Sequence, residues 1–158
     1  MTRLGFILTA LLAVTGVMGP APVAAQDDVA GVTGAGEGIF STGATLNGVT
    51  LRSLELGQGL FIARDGSAMG QFHAVLLGTS LLGTPQNVTV EGEVSTGSVG
   101  GDGTATFSGT ATVNTGDGTL PVPGVPFTAT ISTNSLALIL DATTLPMATV
   151  TAGSITIE

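Results

Sequence analysis

The chain has 158 residues, 43% apolar and 9% charged, with 25 Gly, no Cys, Trp or Tyr, and a formal net charge of −8. That length suits one domain with a real core; the apolar fraction excludes disorder, and glycine without a three-residue period excludes collagen. Eleven acids against three bases exclude a nucleic-acid backbone or an anionic membrane surface as partner, and the lack of cysteine excludes disulfides, a thiol nucleophile, a Cys-type zinc site and a lipid-anchored cysteine.

Residues 1–25 read as a secretory signal peptide. Arg3 gives the positive start, and residues 4–18 are apolar apart from Thr9, Thr15 and two glycines. Gly19-Pro20-Ala21-Pro22 breaks the helix, and Val23-Ala24-Ala25 supplies small residues for a peptidase. The apolar run is about 15 residues, short of the ~20 that a spanning helix needs. Cleavage before Gln26 leaves two arginines against eleven acids, a mature charge of −9. The longest later aliphatic run, 136–140, is too short to span, and the aromatic girdles of an outer-membrane barrel are missing. Residues 26–35 read as a flexible leader and 36–158 as the all-β domain.

Period-two alternation dominates that domain. Residues 36–41 open it with a short strand. Residues 46–56 alternate weakly, with Asn47-Gly48 as a turn candidate. Segments 59–64 and 69–79 are apolar on both sides, through Phe61, Ile62, Phe72, Ala74, Val75, Leu76 and Leu77, which predicts central or covered strands. In 87–95, Val88, Val90 and Val94 point inward while Thr89, Glu91 and Glu93 point outward. Residues 104–115 put Ala105, Phe107, Gly109, Ala111 and Val113 on one face and hydroxyls on the other. Residues 125–133 repeat this through Val125, Phe127, Ala129 and Ile131, and 135–142 through Leu136, Leu138 and Leu140. In the last strand Val150 and Ala152 have one parity and Ile155 and Ile157 the other, which predicts a bulge at Gly153.

Asp65-Gly66, Asp102-Gly103 and Asp117-Gly118 mark tight hairpins. The short repeat of Gly101-Asp102-Gly103-Thr104 as Gly116-Asp117-Gly118-Thr119 is shared hairpin chemistry rather than a solenoid. With no amphipathic helix in view, the expected fold is an all-β antiparallel sandwich or closed barrel of eight to nine strands. Its expected core is Phe61, Phe72, Phe107, Phe127, Val88, Val90, Leu138 and Ile155.

Four stretches resemble a group of uncharacterised secreted bacterial β-domain proteins rich in Gly and Thr. They are Gly36-Glu37-Gly38-Ile39-Phe40, Ala63-Arg64-Asp65-Gly66-Ser67 with Gly70, Ala105-Thr106-Phe107-Ser108-Gly109-Thr110-Ala111 through Asn114, and Gly153-Ser154-Ile155-Thr156-Ile157. Where that group carries an acidic turn before its penultimate strand, this chain reads Ser132-Thr133-Asn134-Ser135. The resemblance implies the β fold and export, and attaches no activity.

Catalytic side chains are sparse. His73, the only histidine, combines on paper with Asp65, Ser67 and Asp141 as a nucleophile-base-orienter set, but no Gly-x-Ser-x-Gly elbow accompanies it. Its expected role is a structural or surface histidine, and a zinc site would need two distant carboxylates besides. Glu91 and Glu93 stand roughly 7 Å apart along one strand face, a glycosidase-like spacing without the Trp or Tyr platforms that sugars use. Calcium is the ion that Asp65, Asp102 and Asp117 suit best, although hairpin geometry already accounts for them. The pairs Thr104/Thr106, Thr110/Thr112, Thr128/Thr130 and Thr149/Thr151 form outward hydroxyl ladders that resemble the ice-binding surfaces of antifreeze proteins. Leu145-Pro146-Met147-Ala148-Thr149 lacks the order of a sortase signal.

Taken together, these residues assign no catalytic, cofactor-binding or metal site and call for no cofactor. The expected role is that of a secreted, non-catalytic binding, adhesion or envelope-associated module, extracellular or periplasmic. Its partner is expected to be an extracellular protein or glycan, with no nucleic acid and no membrane span in the mature chain, and its state a monomer or weak homodimer. The alternatives are a small-ligand barrel or enzyme with His73 and acids at its mouth, and an ice or glycan binder using the Thr-x-Thr arrays.

Overall fold

A computed structural model describes residues 29–158, and these form ten antiparallel strands in one sheet with no helix. In chain order they are β1 (Val29–Phe40), β2 (Thr45–Leu46), β3 (Val49–Ala63), β4 (Ser67–Thr79), β5 (Pro85–Val99), β6 (Ala105–Asn114), β7 (Val122–Ile131), β8 (Ser135–Leu140), β9 (Thr143–Thr144) and β10 (Ala148–Ile157). Neighbours in sequence are neighbours in space from β2 to β8. The bonding then runs on from β8 through β10 to β1, and β1 pairs back with β3, so the sheet closes into a ring. The all-β antiparallel expectation holds. Ten strands appear where eight to nine are expected, because β2 and β9, only two residues long, leave no alternation to read. No helix among the described residues is long and apolar enough to cross a membrane.

Four of the hairpins turn where Asp-Gly or Asn-Gly stands. In three of them an Asp Oδ1 accepts both the backbone N–H and the hydroxyl of the residue two places on. Asp65 holds Ser67 at 2.9 and 2.6 Å, Asp102 holds Thr104 at 3.2 and 2.6 Å, and Asp117 holds Thr119 at 2.9 and 2.6 Å. These bonds favour the carboxylate and lower all three pKa values. Asp117 falls to about 2, chiefly through the Thr119 hydroxyl and N–H, with the Thr115 hydroxyl adding to them. The cap is therefore complete above the ordinary carboxylate range and fades as pH drops toward 2. Each following glycine takes a positive φ, 85° at Gly66, 77° at Gly103 and 89° at Gly118.

Inside the ring the alternating residues make one core. Phe72, Phe107 and Phe127 meet at its centre, with centroids 5.6 to 6.3 Å apart, one pair stacked and two edge-on. Gly92 makes room for them, since a Cβ there would stand 2.7 Å from the Phe127 ring. Every expected core residue is buried except Phe61, which is 58% exposed. The segments read as 46–56 and 59–64 form one long strand after the Asn47-Gly48 turn, and its register shifts between Leu51 and Ser53. From there Leu54, Leu56, Leu60 and Ile62 face inward, so their neighbour Phe61 must face out.

The leader also needs correction. Residues 29–35 belong to β1, bonded to β3 on one side and, from Val32, to β10 on the other. The signal peptide expected over 1–25 and leader residues 26–28 lie outside the described residues. The bulge expected at Gly153 falls two residues earlier: Thr151 has no ladder partner where the β1–β10 register shifts, its hydroxyl reaches the Glu37 carbonyl at 3.3 Å, and Gly153 takes φ 95°.

One inward side chain breaks the apolar pattern. Gln58 is only 8% exposed, and neither Oε1 nor Nε2 has a hydrogen-bond partner among the described residues. Its row neighbours are Gly34 and Phe72, which offer no side-chain polar group. An orphaned buried amide costs about 1–3 kcal/mol. Gln58→Met keeps the length and removes the polar atoms, so urea unfolding should show a gain of about 1–2 kcal/mol. A loss would mean that the amide is bonded after all.

Candidate functional site

A concavity of about 490 Å³ lies on the outer face of β4, β5 and β6. Strand pairing builds it in two rows. Gln71 stands opposite Glu93, which stands opposite Thr110; His73 stands opposite Glu91, which stands opposite Thr112. Phe72, Gly92 and Ala111 form the floor between the rows, and Gly124 of β7 closes one side. Directly paired side chains have Cβ atoms roughly 5 Å apart, and the rows are about 7 Å apart along the strands. Gln71, His73, Glu91 and Glu93 are all exposed. None of the four side chains has a hydrogen-bond or ion-pair partner among the described residues.

Beyond β4 the surface changes character. Gly57 and Gly59 of β3 oppose His73 and Gln71, and no atom lies within 4 Å of where a Cβ would stand at either glycine. The next outward residue on β3 is Phe61, paired with Met69, which is 71% exposed. An aromatic face, a bare glycine shelf and a polar hollow thus adjoin on one side of the ring.

His73 and the Glu91/Glu93 pair, separate candidates in the sequence, are therefore brought together, and Gln71, Thr110 and Thr112 join them. Other combinations come apart. Asp65 lies in the β3–β4 turn and Ser67 opens β4, Asp141 lies in the turn after β8 at the other end of the ring, and His73 is mid-strand between them. His73 is on the outer wall and not at a mouth. Asp65, Asp102 and Asp117 sit in three different turns, each bonded within its own hairpin. Among the described residues no group of three His, Cys, Asp or Glu could hold a metal ion.

The hydroxyl ladders are real on β6 and β7, where Thr106 meets Thr130 at 3.0 Å and Ser108 meets Thr128 at 2.9 Å. These hydroxyls are half-buried and bonded to one another. Thr149 and Thr151 lie on β10, with β8 intervening, so the four pairs do not form one array. At one end of the ring Leu46, Val113, Val125 and Leu140 wall an apolar hollow of about 210 Å³, below the usual size of a small-molecule site.

Phe61 is the residue that sequence reading misplaces, and its exposure gives the site an aromatic margin. The pairing of His73 with Glu91 follows from the centre of the β4–β5 hairpin at Leu82, since both residues are nine positions from it. No family model matches the chain, and no curated protein or solved structure matches it either.

Proposed function

We propose that this chain is an exported, non-catalytic binding domain whose outer face on β3–β6 takes an extracellular glycan. The juxtaposition of exposed Phe61 with the hollow of Gln71, His73, Glu91 and Glu93 carries the reading. A sugar ring has an apolar C–H face that stacks on an aromatic ring and a rim of hydroxyls that needs donors and acceptors; this surface offers both side by side. The glycine shelf lets a flat ring approach the backbone. Export rests on the signal-like residues 1–25, and the bacterial origin on the resemblance of the Gly- and Thr-rich stretches.

Charge narrows the ligand. Two carboxylates in the hollow and a net charge of −8 repel anionic polysaccharides and favour neutral or amine-bearing sugars. Calorimetric titration with a chitosan oligosaccharide and with its fully N-acetylated counterpart tests this. Both are expected to bind, the amine form more tightly, and Phe61→Ala is expected to weaken each by about tenfold. Glu91→Gln together with Glu93→Gln should abolish the amine preference and leave the neutral ligand bound. If neither oligosaccharide binds at about millimolar concentration, the glycan reading fails. Binding that Phe61→Ala leaves unchanged would place the ligand elsewhere on the ring.

A further inference from the structure

β10 is paired from end to end on one side, apart from the bulge at Thr151, and hardly at all on the other. Against β1 its partners run from Phe40 opposite Ala148 to Val32 opposite Ile157. Against β8 only Ala148 and Thr149 are paired, and the Val150 N–H adds one bond to the Asn134 carbonyl at 2.9 Å. From Thr151 onward the side of β10 turned away from β1 has no partner among the described residues, and residues 151–154 are exposed.

The phase of the β1–β10 ladder identifies the free groups. Gly31 and Glu158 exchange both of their backbone bonds, each 2.9 Å long. Bonded pairs alternate with unbonded ones in an antiparallel ladder, so Thr33 with Thr156 and Ala35 with Ser154 are the next bonded pairs. The N–H and C=O of Gly153, Ile155 and Ile157 therefore point toward the open side. Natural sheets blunt such an edge with lysine, proline, an inward charge or a bulge. Residues 152–157, past the bulge at Thr151, contain none of these.

We infer that this edge pairs antiparallel with the β10 edge of a second copy of the chain, about a two-fold axis at Ile155. A strand added here must turn apolar side chains toward the interior and small polar ones outward, and must bring no charge; β10 is such a strand. In this register Ile155 meets its own counterpart, and Gly153 meets Ile157 of the other copy. Those are the residues whose backbone groups are free. Ser154 faces Thr156 on the outside, and each Glu158 falls opposite Ala152, so the two Glu158 side chains do not meet. The interface is isologous and closes at two copies, which a self-complementary edge requires. It stands independently of the glycan reading, because the hollow centred on β5 lies across the ring from β10.

Sedimentation of the purified protein over a concentration series is expected to show a reversible monomer–dimer equilibrium. Ser154→Lys with Thr156→Lys sets like charges face to face across the axis and should raise the dimer dissociation constant by about tenfold or more. Ser154→Lys with Thr156→Glu sets opposite charges face to face and should restore it. Both positions are exposed, so circular dichroism should match the parent for both double variants. A protein that stays monomeric throughout, or a dimer that responds identically to the two double variants, overturns the inference.

Discussion

Phe107→Ala is expected to destabilise the protein by about 3–5 kcal/mol, lowering the urea midpoint without changing the slope. Phe107 is 1% exposed and touches the other two rings of the core, Phe72 at 5.7 Å and Phe127 at 6.3 Å between centroids. Its removal forfeits the transfer free energy of the ring, two aromatic contacts and the packing around the hole left behind. The hole cannot close easily, because β6 is held on both sides, by β5 and by β7, along most of its length. In a chain of this size the loss corresponds to a fall in melting temperature of roughly 10–15 °C. A loss below about 1 kcal/mol would show that the three rings are not the centre of the core.

The ease of placing Phe107 and the failure to place Phe61 have one physical origin. On β6 each inward residue lies between hydroxyls, so parity alone states which face is dry. On β3 the run Gly59-Leu60-Phe61-Ile62 is apolar on both parities, and the choice depends on the register shift between Leu51 and Ser53, several residues upstream. Local alternation carries no record of that shift. The first half of β1 looks like leader for a different reason. Gly31 and Gly34 have leader composition, but the inward Gly34 admits the backbone of β10: a Cβ there would stand 2.8 Å from the Ile155 Cα. That glycine is there because of a strand more than a hundred residues away.

The site was legible in part. Alternation puts Glu91 and Glu93 on an outward face, and they are there. It cannot say that His73 lies beside Glu91, because a face is a local property and a neighbour is set by the hairpin. The loop between β4 and β5, Ser80-Leu81-Leu82-Gly83-Thr84, lacks the Asp-Gly signature of the β3–β4, β5–β6 and β6–β7 turns. Its geometry comes instead from the bond of Ser80 N–H to the Thr84 carbonyl at 2.9 Å and from the hydroxyl pair of the same two residues at 2.8 Å. A turn of that kind has no compact sequence mark, so the register and the hollow it creates emerge only from the fold.

Gly109→Ala should cost about 3 kcal/mol, the upper end for overpacking a core, although alanine is ordinarily the better strand residue. Gly109 lies on the inner face of β6 opposite Val94, beside the point where β5 shifts register between Val94 and Thr96. That shift draws the β5 backbone over Gly109 so closely that a Cβ would overlap the Glu93 carbonyl oxygen, with the Glu93 carbonyl carbon 2.9 Å and the Val94 Cα 3.1 Å away. All three obstacles are backbone atoms, so no side-chain rotation relieves them and β5 itself must move. Gly57→Ala is the matched control: nothing lies within 4 Å of its Cβ position, and the change should be neutral or stabilising by up to about 1 kcal/mol through the unfolded chain. Denaturant unfolding of the two variants separates a steric cost from the general effect of losing a glycine. Because the displaced backbone is that of Glu93, Gly109→Ala should also weaken any ligand held in the hollow of β4–β6, whereas a core substitution such as Ile131→Val, remote from Glu93, should lower stability alone. Equal stability for Gly109→Ala and Gly57→Ala would mean that the β5 bulge is not pinned where it lies, and that the position of Glu93 is set by something other than the absence of a side chain on the strand beside it.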